Sequence, residues 1–215
     1  IDGYASTGKS TLAKMLSRHY NLTFIDSGAL YRAVTFFALE GGFLKDNYFD
    51  QLALESALEN LTFEFKSEKR FLFLNGENIS NKIRHPRVSD HVSSIAALPI
   101  VRNFLLHQQR QMVNENGLVI DGRDIGTIVF PNADHKFFFT ARPEIRARRR
   151  YEELINQGQE ITFDEVLNNL IHRDKTDIGR DIAPLSKADD ALEIDTSEVT
   201  PNQVFAYLVE KIDSK

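Results

Sequence analysis

Short apolar segments alternate with longer stretches of helical periodicity along most of the chain. Thr23–Asp26, Leu118–Asp121, His135–Thr140 and Ala191–Asp195 are four such segments, and Ile1-Asp2 reads as the end of a fifth. Between them, apolar positions recur at helical spacing: Leu12, Met15 and Leu16, then Leu30, Ala33, Val34 and Phe37, then Val88, Val92 and Ile95. Five short strands separated by helices predict a parallel sheet covered on both faces. Thr162-Phe163-Asp164-Glu165 and Thr200-Pro201-Asn202-Gln203 carry the Thr-x-x-Glu/Gln pattern of a capping box, so two more helices are expected there.

One stretch breaks this alternation. Leu61, Phe63 and Phe65 alternate with polar residues, and a turn then leads to Arg70–Leu74. Asn75-Gly76 is a strong hairpin signal, and Glu77–Ile79 follows as a third short strand. Antiparallel strands do not belong in a parallel sheet, so these are expected to form an inserted subdomain.

Composition narrows the class. A chain of 215 residues, 42% hydrophobic and 27% charged, suits one soluble globular domain. With 26 basic and 31 acidic residues the net charge is −5, which argues against a general nucleic-acid binder. The absence of cysteine excludes disulfides, a thiolate nucleophile and zinc–cysteine sites. No apolar run approaches 18 residues and no secretory pattern is present, so a cytoplasmic protein without a membrane partner is expected.

The candidate chemistry begins in GYASTGKST, residues 3–11. Gly3, Gly8, Lys9 and Ser10 meet the phosphate-loop pattern G-x-x-x-x-G-K-[ST], in which backbone N–H groups curl around phosphate oxygens. Lys9 supplies a point charge, and the Ser10 hydroxyl can ligate Mg²⁺. The helix expected from Thr11 onward puts its N-terminus at the loop, which favours an anion. The loop therefore indicates a nucleoside triphosphate, with Tyr4, Ala5, Ser6, Thr7 and Thr11 completing the segment that would surround it.

A second anion is suggested by basic clusters near strand ends, where ligands bind in open α/β sheets. DSGALYR follows one strand with Ser27, Tyr31 and Arg32, and DGRD follows another with Arg123 and Asp124. HRDKTDIGR adds Arg173, Asp177 and Arg180. Arginine suits phosphate because its planar fork donates in pairs and stays charged. A further basic stretch holds Arg142, Arg146, Arg148, Arg149 and Arg150, with Glu144 as its one carboxylate. A GTPase is not indicated, because Asn81-Lys82 is followed by Ile-Arg rather than the N-K-x-D pattern, and no L-S-G-G-Q transporter signature occurs.

At these residues the sequence resembles the bacterial cytidylate kinases of the long form. The phosphate loop, DSGALYR, GLVIDGRDIGTIVFPNADHKFFFTA, RARRRY and HRDKTDIGRDIAPL carry the resemblance, which spans essentially the whole chain. It implies a P-loop NTPase-type α/β fold with a five-stranded parallel sheet flanked by helices, a small antiparallel insert and a helical lid. It also implies a single domain over 1–215, with core segments 1–28, 96–141 and 176–215, a monophosphate-binding insert 29–95 and a lid 142–175.

The activity implied is ATP + CMP (or dCMP) ⇌ ADP + CDP (or dCDP), with Mg²⁺, in pyrimidine nucleotide metabolism, and a monomer is expected. The resemblance places Ser27, Arg102 and Asp124 around the cytosine and Tyr31 in the monophosphate pocket. Arg32, Arg123 and Arg180 would hold the CMP phosphate, with Ser93, Arg173 and Asp177 near the sugar. Lys9 and the lid residues Arg148, Arg149 and Arg150 would act on the transferring phosphoryl group. The sequence departs from the family at Tyr4, where the loop G-P-S-G-A-G-K commonly has proline, and at Ser6 and Thr7. Two other readings are consistent with the loop alone: a P-loop kinase for UMP, AMP or a small metabolite, and a nucleotide-dependent binding module.

Overall fold

The computed structural model describes residues 1–45, 48–66 and 71–214. Arg70, expected to open the second hairpin strand, lies outside the described residues. The chain divides into two compact units, one of Ile1–Ile25 with Asn114–Lys215 and one of Asp26–Val113.

The first unit opens with β1 (Asp2–Gly3), α1 (Lys9–His19) and β2 (Thr23–Asp26), whose last residue begins the second unit. The second unit continues with α2 (Ser27–Glu40), β3 (Leu44–Lys45), β4 (Tyr48–Phe49) and α3 (Gln51–Leu58). It then adds β5 (Phe63–Lys66), β6 (Phe71–Leu74), β7 (Glu77–Asn78), α4 (Pro86–Ala96) and α5 (Pro99–Gln111). Back in the first unit come β8 (Leu118–Asp121), β9 (Phe137–Thr140), α6 (Pro143–Asn156) and α7 (Phe163–Ile178). β10 (Leu192–Asp195) and α8 (Pro201–Asp213) complete it.

A parallel sheet is present, but it carries three strands rather than the five expected. β9 lies between β1 and β10, parallel to both, while β2 and β8 pair separately. The brevity of β1 explains the break. Its two residues are in register with Phe138 and Phe139 on one side. Towards β8 the pairing is made by Ile1, whose amino group donates to the Ile120 carbonyl (2.8 Å) and whose carbonyl accepts from Gly122 N–H (2.9 Å), a pairing at one residue where a ladder needs successive ones. Helices α1 and α8 bury Leu12, Leu16, Val204 and Leu208 against Phe137, Phe139 and Ile194 of the sheet.

Helices α6 and α7 form a pair of their own within this unit. Ala147 and Leu154 of α6 pack on Val166 and Leu170 of α7, and Ala5 of the phosphate loop rests against the same cluster. Both expected capping boxes are formed. Thr162 and Glu165 close the start of α7, and Thr200 and Gln203 that of α8.

In the second unit, Leu30 and Val34 of α2, Ile95 of α4, and Val101 and Leu105 of α5 share a core with Leu72 and Leu74 of the hairpin. β5, β6 and β7 are antiparallel, as the alternating pattern requires. Asn75 (φ 49°) and Gly76 (φ 81°) both take the left-handed conformation that a tight hairpin turn demands. The Asn75 side chain accepts a hydrogen bond from Thr62 N–H (2.9 Å), which fastens the turn to the start of β5.

Candidate active site

The phosphate loop joins β1 to α1. Gly3 (φ 137°) is required by close packing, since a Cβ there would lie 2.0 Å from the Phe139 carbonyl oxygen of the neighbouring strand. Gly8 (φ 93°) turns the chain into α1. Tyr4, which stands where the family commonly has proline, donates its N–H to the Phe139 carbonyl (3.3 Å), a bond that proline could not make. Its ring lies edge-on to Phe138 and beneath the guanidinium of Arg146, 5.0 Å from the ring centre.

Lys9 does not extend into solvent. It is 5% exposed, and its ammonium donates to the Tyr4 carbonyl and, at 3.4 Å, to Thr7 Oγ1. Burial pushes its pKa down to about 7, with the nearby charge of Arg123 acting in the same direction. Ser10 Oγ donates to Asp121 Oδ2 at 2.6 Å, so the loop hydroxyl stands beside the carboxylate that ends β8. A hydroxyl and a carboxylate side by side form an all-oxygen donor pair, which fits Mg²⁺.

Beyond Asp121, the same unit carries a cationic cluster built on one carboxylate. Arg123 Nε donates to Asp177 Oδ2 (2.9 Å), and Arg180 Nη1 lies 3.7 Å from Asp177 Oδ1. Burial alone would raise the Asp177 carboxyl. Arg123, Arg180 and Arg173 outweigh it and hold the group below the usual carboxylate range. Burial likewise opposes the charge on Arg123, yet Asp177 beside it raises the guanidinium pKa further. Asp121 and Asp174 act on Arg123 as well, so the cluster mixes arginines with several carboxylates, and its guanidinium forks are of the kind that bind an anion.

Arg123 and Asp124 sit just before a π-helical turn, Ile125–Val129. Asp2 fixes the start of that turn, its two carboxylate oxygens accepting from Ile125 N–H (2.8 Å) and Gly126 N–H (2.7 Å). Asp124 is buried there.

The arginines of α6 have separate destinations. Arg146 is buried and donates to Asp174 Oδ2 (2.6 Å) and to the Ala141 carbonyl (2.8 Å). Burial raises the Asp174 carboxyl, with Arg146 working the other way. Arg148 lies over the Phe163 ring at 5.7 Å, and Arg150 pairs with Glu153 at 2.8 Å. Arg149 donates to Thr196, whose hydroxyl reaches the phosphate loop.

In the second unit, Asp26 caps α2 by accepting from Ala29 N–H (2.9 Å) and pairs with Arg32 at 2.9 Å. Arg32 Nε is buried and makes no hydrogen bond among the described residues. Arg102 is buried on α5, donates to the Ala96 carbonyl (2.9 Å) and lies over the Tyr31 ring at 5.3 Å. Ser27 is buried at the first position of α2, and Ser93 is half-buried on α4.

Sequence reasoning missed Asp2, Asp121, Asp174 and Thr196 as site residues. Asp2 and Asp121 had a readable signal, since each is an acidic residue at the end of an apolar strand. Thr196 had none, because its partner Thr7 is 189 positions away.

A strand, a glycine-bearing loop, a helix N-terminus and an adjoining hydroxyl–carboxylate pair define a P-loop nucleotide-binding protein. Comparison with known proteins narrows this class. A family model described as cytidylate kinase matches residues 1–214. The cytidylate kinase of Phocaeicola vulgatus is 44% identical, with 100% of this chain and 95% of the relative covered. That of Bacteroides thetaiotaomicron is 46% identical over 98% and 94%, and that of Fusobacterium nucleatum 44% over 99% and 95%. A crystal structure of an uncharacterized protein from Eubacterium ventriosum superposes with a TM-score of 0.53 at 16% identity, covering 100% of this chain and 96% of that one, a likeness of fold. The chain belongs to the cytidylate kinase family and is a phosphotransferase. No helix among the described residues is long and apolar enough to cross a membrane.

Proposed function

We propose that this chain transfers the γ-phosphoryl group of ATP to CMP or dCMP, giving ADP and CDP or dCDP. The observation that carries the proposal is the proximity of two anion-binding groups within one unit. Ser10 Oγ of the phosphate loop donates to Asp121 Oδ2 (2.6 Å), two residues before Arg123, whose Nε donates to Asp177 Oδ2 (2.9 Å). Phosphoryl transfer needs a donor and an acceptor phosphate held that near one another.

In the proposed reaction, residues 3–11 surround the ATP phosphates, with Lys9 turning from the Tyr4 carbonyl to the triphosphate. Ser10 and Asp121 would hold Mg²⁺, which when bound supplies positive charge to the triphosphate oxygens. Arg32, Arg123 and Arg180 are assigned to the CMP phosphate, and Ser93, Arg173 and Asp177 to its sugar. An oxygen of that phosphate forms a bond to the γ-phosphorus, the β–γ bridging bond breaks, and its electron pair leaves on ADP. The attacking oxygen is already ionised, so no general base is required. Arg148, Arg149 and Arg150 are assigned to the charge of the transferring group.

Ser27, Tyr31, Arg102 and Asp124 are assigned to the nucleoside. Cytosine offers an amino donor at the position where uracil offers a carbonyl acceptor. A carboxylate at Asp124 accepts from the first and repels the second, and Arg102 can donate to cytosine N3 or O2. Such a contact is worth about 1–3 kcal/mol, so UMP is expected to be at least about tenfold poorer. An ADP-release assay over CMP, dCMP, UMP, AMP and dTMP tests the acceptor. Measuring kcat/KM for CMP and UMP in Asp124→Asn tests the reader: the CMP/UMP ratio is expected to fall. An unchanged ratio with both rates reduced would make Asp124 structural.

A further inference from the structure

We infer that Thr196, the residue following β10, is a positioning residue that aims a phosphate-loop amide at ATP. The inference rests on the reading of residues 3–11 as the ATP phosphate site.

Thr196 is itself firmly placed. Its N–H donates to the Thr140 carbonyl (2.9 Å), continuing the β9–β10 register by one residue, and its side chain is buried. Its hydroxyl donates to the Thr7 carbonyl at 2.9 Å, with the Thr140 carbonyl a second acceptor at 3.2 Å. Arg149 from α6 grips the same residue twice, Nη1 donating to the hydroxyl at 3.2 Å and Nη2 to the Thr196 carbonyl. The hydroxyl thus connects the rigid end of the sheet, the phosphate loop and an arginine of the helical pair.

The consequence follows from the planarity of the peptide unit. In a trans peptide the C=O of one residue and the N–H of the next point in opposite directions. Pinning the Thr7 carbonyl towards Thr196 therefore turns the Gly8 N–H to the opposite side of that plane. Gly8 is in the left-handed region and has no side chain to restrain it, so this peptide depends on support from outside the residue. Thr7 is fixed at its other end, its own hydroxyl donating to the Tyr4 carbonyl at 3.0 Å. Loop amides are the donors that cradle phosphate oxygens. Removing the Thr196 hydroxyl releases the Thr7–Gly8 peptide and loosens Arg149 at once.

The test compares Thr196→Val, which keeps the branched shape and loses the hydroxyl, with Thr196→Ser, which keeps the hydroxyl. Binding of a non-hydrolysable ATP analogue with Mg²⁺ is titrated calorimetrically without CMP, and KM is then measured for each substrate. Loss of one neutral hydrogen bond predicts about three- to tenfold weaker ATP binding in Thr196→Val and a matching rise in KM for ATP. KM for CMP should stay within about twofold, and Thr196→Ser should restore ATP binding to near wild type. Unchanged ATP affinity with a lowered Tm overturns the inference, as does an equal loss for both substrates or failure of serine to rescue. If the valine variant does not fold, Thr196→Ala carries the same expectation. Wild-type protein that fails to bind the analogue would instead refute the ATP assignment of the loop itself.

Discussion

Lys9 is held where water hardly reaches it, its pKa pushed down to about 7, and its own loop supplies the acceptors. The motif alone suggests a lysine facing solvent, whose truncation would leave the fold undisturbed. At 5% exposure that expectation is corrected, because the four-methylene stem is packed and an alanine would leave a void. Methionine matches the stem and removes the ammonium. Lys9→Met is expected to reduce CDP formation by at least about a thousandfold, by analogy with other charge-stabilising groups in phosphoryl transfer. Its Tm should equal or exceed that of wild type, because a desolvated charge has been removed. Normal turnover by this variant would sink the phosphate-loop assignment. Tyr4 shows the same dependence on context, since only the folded chain reveals that its N–H meets Phe139 and its ring carries Arg146.

Elements whose signals are local were readable, and those that depend on distant partners were not. Thr23–Asp26 and Leu118–Asp121 are strands with the ends that the apolar pattern gives, and Asn75-Gly76 makes the turn its chemistry requires. The capping boxes are equally local. Thr200 Oγ1 accepts from Gln203 N–H while the Gln203 side chain accepts from Thr200 N–H at 2.9 Å. Thr200→Ala removes one arm of this exchange at the start of α8, whose Val204 and Leu208 lie in the sheet core. A thermal melt should show Tm lower by about 2–4 °C, and Thr200→Ser should recover most of the loss. By contrast, the grouping of strands into ladders depends on how many residues β1 offers to each side. The π-helical turn after Asp124 is likewise held by Asp2, 123 positions earlier, which no window of sequence contains.

At the scale of the whole molecule, acid stability should carry the signature of the arginine cluster. The Asp177 carboxyl is held below its ordinary value, so its contribution is fully present above the usual carboxylate range and disappears as pH falls through the folded-state pKa. Asp174 is raised, so its contribution has the opposite sign, favouring the fold at low pH and fading as pH rises through its folded-state pKa. Urea titrations of wild type and Asp177→Asn at several pH values separate the two. The stability difference between them should be widest near neutral pH and narrow below about pH 4. A difference independent of pH would mean that the arginines do not act on Asp177 electrostatically.

The first unit is assembled from two stretches of chain with the whole of Asp26–Val113 between them. That arrangement has a consequence on the ribosome. Asp2 and Gly3 pair with Phe138 and Phe139, so the first strand emerges with its partner still more than a hundred codons from being read. At about 5–20 residues per second, the wait is on the order of ten seconds. The hairpin of the intervening unit is local, and the partners that α2 packs on, in α4 and α5, all lie before Val113, so this unit can close during that interval. The order of emergence thus sets the order of assembly, with the inserted unit finished before the nascent chain possesses the strand that completes the mouth of its phosphate loop.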